Sequence, residues 1–202
     1  MRVSHTQLEI ARSDPRSYKS KTNSSEGFFK TGQYRYWQFA TRNYHDKGKD
    51  NAFQYLEEKF KEKFVLNARN KKRLEEFQYK LENYITDFEE LNNSVVGRGT
   101  KISMDLGYSN SLSGEIARED MKLNGSFEIF LFLKEESSWE DELRFPLIQA
   151  HYAQIFGVSN SEVAVGVYSF ESDQHVSNVY SDTDVQAAVN EARKISQIFS
   201  TT

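Results

Sequence analysis

The hydrophobic period of this chain changes after residue 91, and that change limits the folds open to it. Leu74, Phe77, Leu81, Tyr84, Phe88 and Leu91 recur at spacings of three and four, the repeat of a helix with one apolar face. The spacing predicts a helix over 67–92, either packed on a core or paired in a short, aromatic coiled coil. Further on, Ile102, Met104 and Leu106 alternate with polar residues, as on a half-buried strand. A chain that switches from period 3.6 to period 2 must stack helices against a sheet.

Local signals fill in the order. Ser4 and Gln7 form a capping-box pattern before Leu8, which predicts a helix over 4–12. Pro15 fits the opening of a second turn, and 20–32 reads as loop. The aromatic run 33–45 predicts a helix with Tyr36, Phe39 and Ala40 on one face. A further helix over 51–64 carries Phe53, Leu56, Phe60 and Phe64. After the strand at 100–106, SLSGEIARED predicts a second strand, Asn124-Gly125 a tight hairpin turn, and FEIFLFLK a central third strand apolar on both faces. Ser137 and Ser138 are candidate caps for a segment with Trp139. Pro146 either begins a new helix or kinks this one, and Gly157 ends it. Strands over 162–170 and 174–180 follow, then a helix over 184–199 capped by Ser181 or Asp182. The fold class expected is α/β (α+β): a mixed central sheet flanked by helices, with a helical N-terminal region. The boundaries are 1–96, mostly helical and basic up to 73, and 97–202, the α/β core, packed together as one domain.

Composition excludes several chemistries. The 202 residues include no Cys, so disulfides, thiolate nucleophiles and Cys-based zinc sites are impossible. No run approaches the roughly 20 apolar residues of a membrane span, and the opening residues lack the apolar stretch of a signal peptide. A cytoplasmic protein without membrane contact is expected. His5, His45, His151 and His175 show no helical metal-site spacing; His151, beside Gln149 and Tyr152, is the most suggestive. Tyr34, Tyr36, Trp37 and Tyr44 are candidates for base stacking, though core packing needs the same helical spacing.

Charge is unevenly distributed. Residues 1–73 hold 17 Lys and Arg against 8 Asp and Glu, a net of +9; the remainder hold 9 against 22, a net of -13, and the two sum to the whole-chain -4. The densest basic stretch comprises Lys59, Lys61, Lys63, Arg69, Lys71, Lys72 and Arg73. Either it faces a polyanion or it is a solvated face.

Three words, in order, resemble the PD-(D/E)XK nuclease superfamily, in its RecB-type exonuclease-like branch. VSHTQLEIARSDPRSY resembles the opening helix and Pro turn, and SGEIARED the Gly-x-Ile-Asp-Arg strand. FEIFLFLKEESSWEDELRFPLIQAHYAQIFG with EVAVGVYSF resembles the third strand, Gln/Tyr helix and next strand. The resemblance spans residues 1–18 and 98–199 and implies a restriction-endonuclease-like fold. It also implies a divalent-metal site built from an Asp and an acid-x-Lys unit.

The chain departs from that pattern at the chemistry. Ala117 stands at the Asp position and Phe132 at the acid position, two residues before Lys134. Neither side chain offers an oxygen to Mg²⁺ or Mn²⁺. The resemblance therefore implies a degenerate active site that retains Arg118, Lys134, Gln149 and Tyr152 as a remnant cleft, with no metal and no catalytic residue. The alternative is an active nuclease with relocated groups, Asp105, Glu115 and Lys134, using Mg²⁺ or Mn²⁺. The expectation is a catalytically inactive nucleic-acid-binding or scaffolding subunit of a DNA-processing or defence complex. Lys59, Lys61, Lys63, Arg69, Lys71, Lys72 and Arg73 would contact phosphates, and a helicase or nuclease is the kind of protein partner expected.

Overall fold

The computed structural model describes residues 1–15, 32–135 and 137–200. The expected loop at 20–32 and the turn expected after Pro15 fall almost wholly outside them. Ser4 caps α1 (His5–Ser13) through the predicted box: its Oγ accepts from Gln7 N and its own N–H donates to the Gln7 side chain. Among the described residues three helices follow: α2 (Gly32–Lys47), α3 (Lys49–Lys63) and α4 (Ala68–Leu91). Gly48, at φ +86°, separates α2 from α3, a conformation that favours glycine. Asn67 caps α4, and Asn92 ends it in the left-handed region.

The sheet is mixed and six-stranded. It comprises β1 (Arg2–Ser4), β2 (Ser94–Gly107), β3 (Asn110–Met121), β4 (Phe127–Leu133), β5 (Val163–Ser169) and β6 (Gln174–Asn178). β2, β3 and β4 form an antiparallel meander, β4 and β5 are parallel, and β5 and β6 are antiparallel. The parallel crossover from β4 to β5 carries α5 (Arg144–Phe156), as parallel pairing requires a long connection. Pro146 lies in the first turn of α5, and Gly157, at φ +68°, closes it. α6 (Asp182–Ser200) ends the described chain, with Ser181 Oγ accepting from Asp184 N.

Two apolar clusters lie on the two faces of the sheet. Leu8, Ile102, Met104, Ile129, Leu131, Phe145, Ile148 and Ile195 belong to one, with α1, α5 and α6. Trp37, Leu56, Phe60, Leu81, Tyr84 and Tyr168 belong to the other, with α2, α3 and α4; Phe132 packs against it. The stripe on α4 is therefore spent inside the molecule, which removes the basis for the coiled-coil alternative.

The structure corrects four expectations. β1 has no counterpart among the predicted strands: three residues are too few for a period, yet they pair with Ser111–Ser113 of β3. Residues 2–13 thus belong to the sheet and its first layer, and the boundary at 96/97 falls inside β2. On α2 the buried residues are Tyr34, Trp37, Ala40 and Thr41, while Tyr36 and Phe39 are only partly buried. The turn after Met121 spans five residues, with only Gly125 at positive φ. The tight turn is instead Tyr108-Ser109, both at positive φ (51° and 58°).

Candidate functional site

A gap in the strand pairing creates a cleft. β2 pairs along nearly the whole of β3, so β1 and β4 must share the other edge. β1 holds Ser111–Ser113 and β4 holds Arg118–Met121. Gly114 to Ala117 lie between them, without a strand on that side among the described residues. A cavity of about 490 Å³ opens there, walled by Gly114, Glu115, Ile116 and Ala117, by Leu131 and Phe132 of β4, by His5 behind β1, and by α2 and α5.

The alternation of β3 also resets at this point. Leu112 and Ile116 join the cluster on the α5 and α6 side, yet Arg118, of the same parity, donates from Nη1 to Tyr84 Oη on α4 at 2.7 Å. Glu115 pairs with Arg42 of α2, whereas Glu119 accepts from Tyr152 of α5 at 2.8 Å. Gly99 of β2, across from Ala117 between the Arg98↔Arg118 and Thr100↔Ile116 pairs, has φ +61°. A face assignment by simple parity along β3 therefore fails beyond residue 116.

Arginines dominate the polar lining. Arg35 and Arg42 of α2 both lie over one ring, Phe39, at 5.4 and 5.2 Å from its centroid. Arg42 forms an ion pair with Glu115. Burial, and then the charge of Arg35, hold the Arg42 guanidinium below its ordinary range. Arg144, at the start of α5, is 9% exposed, with Nε 2.6 Å from Glu142 Oε2. Burial lowers it, against the opposing pull of Glu142 and Glu9. His5 keeps a surface in solvent, yet the crowding of its ring and the charge of Arg144 push it down to about 4. It is neutral at pH 7.

Ala117 and Phe132 both face this cleft. The Phe132 ring sits 5.1 Å from Trp37 and 5.7 Å from Tyr84, edge-on to both. The two positions that the nuclease pattern gives to carboxylates thus carry a methyl group and a packed ring. Among the described residues no group of three or more His, Cys, Asp or Glu could hold a metal ion, so the donor set does not fit Mg²⁺ or Mn²⁺. The relocated trio does not assemble either. Asp105 pairs in register with Ser111, four residues or about 13 Å along β3 from Glu115, and its Oδ1 accepts from Gly107 N. Lys134 is exposed and paired with Glu135 at 2.8 Å.

The four residues expected as a remnant cleft have separate structural tasks. Arg118 is buried between the Phe88 and Phe130 rings, at 4.5 and 4.7 Å, and paired with Asp120 at 2.9 Å. Gln149 is fully buried and clips Tyr180, accepting from its N–H and donating to its carbonyl, both at 2.8 Å. Tyr152 is buried against Glu119, and Lys134 lies outside on the surface. None of them lines the cavity. Of the candidates for base stacking, Trp37 and Tyr34 are core residues stacked on each other at 5.8 Å. Tyr36 and Tyr44 are partly buried against them.

The basic stretch divides in two. Lys59 pairs with Glu62, Lys61 with Glu57 and Lys63 with Glu62, at 2.5 to 2.6 Å on α3. Arg69, Lys71 and Lys72 on the first turns of α4 are exposed and have no acidic partner among the described residues. Arg73 donates to Gln33 at 3.4 Å. The first turn of α4 holds no acid, so cations crowd the positive end of the helix dipole.

Sequence reasoning missed Arg35, Arg42, Arg144 and His5. A signal was present for two of them: Arg35, Gln38, Phe39 and Arg42 recur at i, i+3, i+4 and i+7, a basic stripe beside the apolar one. Arg144 and His5 reach the cleft through the β1 pairing and the α5 crossover, which no local spacing encodes. No family model matches this sequence, and no curated protein matches it.

Proposed function

We propose that the protein binds nucleic acid without cleaving it, as a nuclease-like subunit whose metal chemistry has been lost. One observation carries this reading: at the break between β3 and β4, Ala117 and Phe132 stand where a nuclease of the resembled kind needs carboxylates, and arginines supply the polar lining. A positive, carboxylate-poor cleft attracts phosphate and gives a divalent cation nothing to bind. The exposed cations Arg69, Lys71 and Lys72, which have no acidic partner among the described residues, are with Arg73 the best phosphate contacts, being set where their charge gains nothing from the helix dipole. Lys59, Lys61 and Lys63 already have carboxylate partners, so their share is smaller than the sequence implied. Such contacts are independent of base sequence.

The strongly acidic remainder of the chain would face a protein partner, for which a helicase or nuclease is the natural kind. A purely protein-binding role is favoured by one observation, the self-paired lysines of α3, which behave as a solvated face.

The experiment is an anisotropy titration of labelled single- and double-stranded DNA and RNA across a salt series. Binding is expected to weaken steeply with salt, and Lys71→Glu with Lys72→Glu and Arg73→Glu is expected to flatten the slope by about 0.9 for each phosphate no longer neutralised. Unchanged binding in the triple variant would favour the protein-binding role. Cleavage of any strand in Mg²⁺ or Mn²⁺ that Lys134→Ala abolishes would overturn the non-catalytic reading.

A further inference from the structure

We infer that the cleft beside β3 is a site for a phosphate monoester carrying a planar base, either a free nucleotide or the phosphorylated end of a strand. This deepens the nucleic-acid reading and rests on it for the choice of phosphate over other anions. Three features point to an amphipathic anion of this size.

The first is space. About 490 Å³ lies within the range of small-molecule sites and exceeds what one phosphate fills.

The second is unbalanced charge. Glu115 answers Arg42 and Glu142 answers Arg144, which leaves Arg35 with no acidic partner among the described residues. Arg35 and Arg42 are nonetheless held over the same Phe39 ring, so two like charges share one wall. Among the described residues the Nε of Arg42 is buried without a hydrogen-bond acceptor. A phosphate dianion relieves the repulsion and accepts from guanidinium forks with two oxygens at once.

The third is the facing wall. Leu131, Phe132 and Ile102 turn apolar surface into the same cavity. A base can lie against it while its phosphate reaches the arginines of α2. The loss of carboxylates at Ala117 and Phe132 then has a positive consequence: β4 lines the cavity with Leu131 and Phe132 and puts no carboxylate into it to repel the incoming phosphate.

The test is calorimetric titration of the full chain with adenosine monophosphate, adenosine, inorganic phosphate and laurate. The same is done with a short single strand bearing either a 5′-phosphate or a 5′-hydroxyl. Adenosine monophosphate is expected to bind about tenfold or more tighter than adenosine, and Arg35→Gln to remove that advantage. Arg35 is exposed, so this variant keeps its fold, and an unchanged melting temperature checks that. If the free nucleotide binds as tightly as the phosphorylated strand, the ligand is a nucleotide. If only the 5′-phosphorylated strand shows the Arg35-dependent advantage, the ligand is a strand end. Either result upholds the site. Equal affinity for 5′-phosphate and 5′-hydroxyl strands, with no binding of the nucleotide, overturns it and leaves the nucleic-acid reading standing. Binding of laurate in preference to the nucleotide overturns it too. Nucleotide binding with no strand binding at all sinks the nucleic-acid reading and keeps the cleft.

Discussion

Arg118 shows how a residue that looks functional in sequence is held for structure. Its guanidinium is sandwiched by rings, bonded to Tyr84 and paired with Asp120, which is fully buried. Removing one member of such a pair leaves a naked charge, which costs more than the pair ever contributed. Arg118→Met is expected to destabilise the protein by about 3–5 kcal/mol in urea unfolding. Arg118→Met with Asp120→Leu should recover most of that loss, and a double variant as unstable as the single would contradict the account. His45 sits on the same network, 2.7 Å from Tyr84 Oη. Burial, then Arg118 and Arg98, push it down to about 3, whereas an unfolded histidine titrates at about 6.5. Between those values the unfolded chain binds a proton that the native state refuses. This contribution is therefore complete above pH 6.5 and is lost as pH falls toward 3, by at most about 1.4 kcal/mol per unit. Urea midpoints at pH 7 and pH 5 should separate more in the wild type than in His45→Gln.

At the scale of elements, periodicity, caps and breakers together locate α1 to α6 among the described residues and five of six strands. Its failures have physical causes. Asn124-Gly125 draws the tight turn to the wrong hairpin because turn propensity is weighed locally. The strand register instead forces Tyr108-Ser109 into the left-handed region between Gly107 and Asn110. Two non-glycine residues there carry steric strain. Tyr108→Asn with Ser109→Gly is expected to raise stability by roughly 1 kcal/mol, read from the denaturant midpoint. Gly166 is a close-packing position: an added Cβ would lie 2.4 Å from the Val176 carbonyl oxygen and 2.7 Å from Ser177 Cβ. Gly166→Ala should cost about 1–3 kcal/mol and speed amide exchange in β6 while sparing β2, because only β6 must move.

For the whole molecule, the fold is a sheet between two helical layers, and a cleft of about 490 Å³ lies where β3 loses a neighbour. None of the described helices is long and apolar enough to cross a membrane. Arg73 of α4 reaches Gln33 of α2, the helix whose Arg35 and Arg42 line the cleft. Charge reversal at Lys71, Lys72 and Arg73 should weaken strand binding in proportion to its salt sensitivity. Arg35→Gln should act on the phosphate alone, so an additive effect of the two on a 5′-phosphorylated strand is expected from binding isotherms.

What the sequence by itself determined is the order of the elements apart from β1, the apolar faces of α3, α4 and α6, the caps at Ser4 and Gly157, and the absence of oxygen ligands at residues 117 and 132. Each is a property of side-chain type or of spacing within one segment. What only the tertiary structure decided is which side chains meet: that Arg118, Gln149 and Tyr152 are occupied elsewhere, and that Arg35, Arg42, Arg144 and His5 converge on one cavity. Those four come from three elements far apart in the chain, brought together by a three-residue parallel pairing and a reset in strand alternation at Ala117. Neither leaves a local pattern, because both arise from contacts between segments rather than within them.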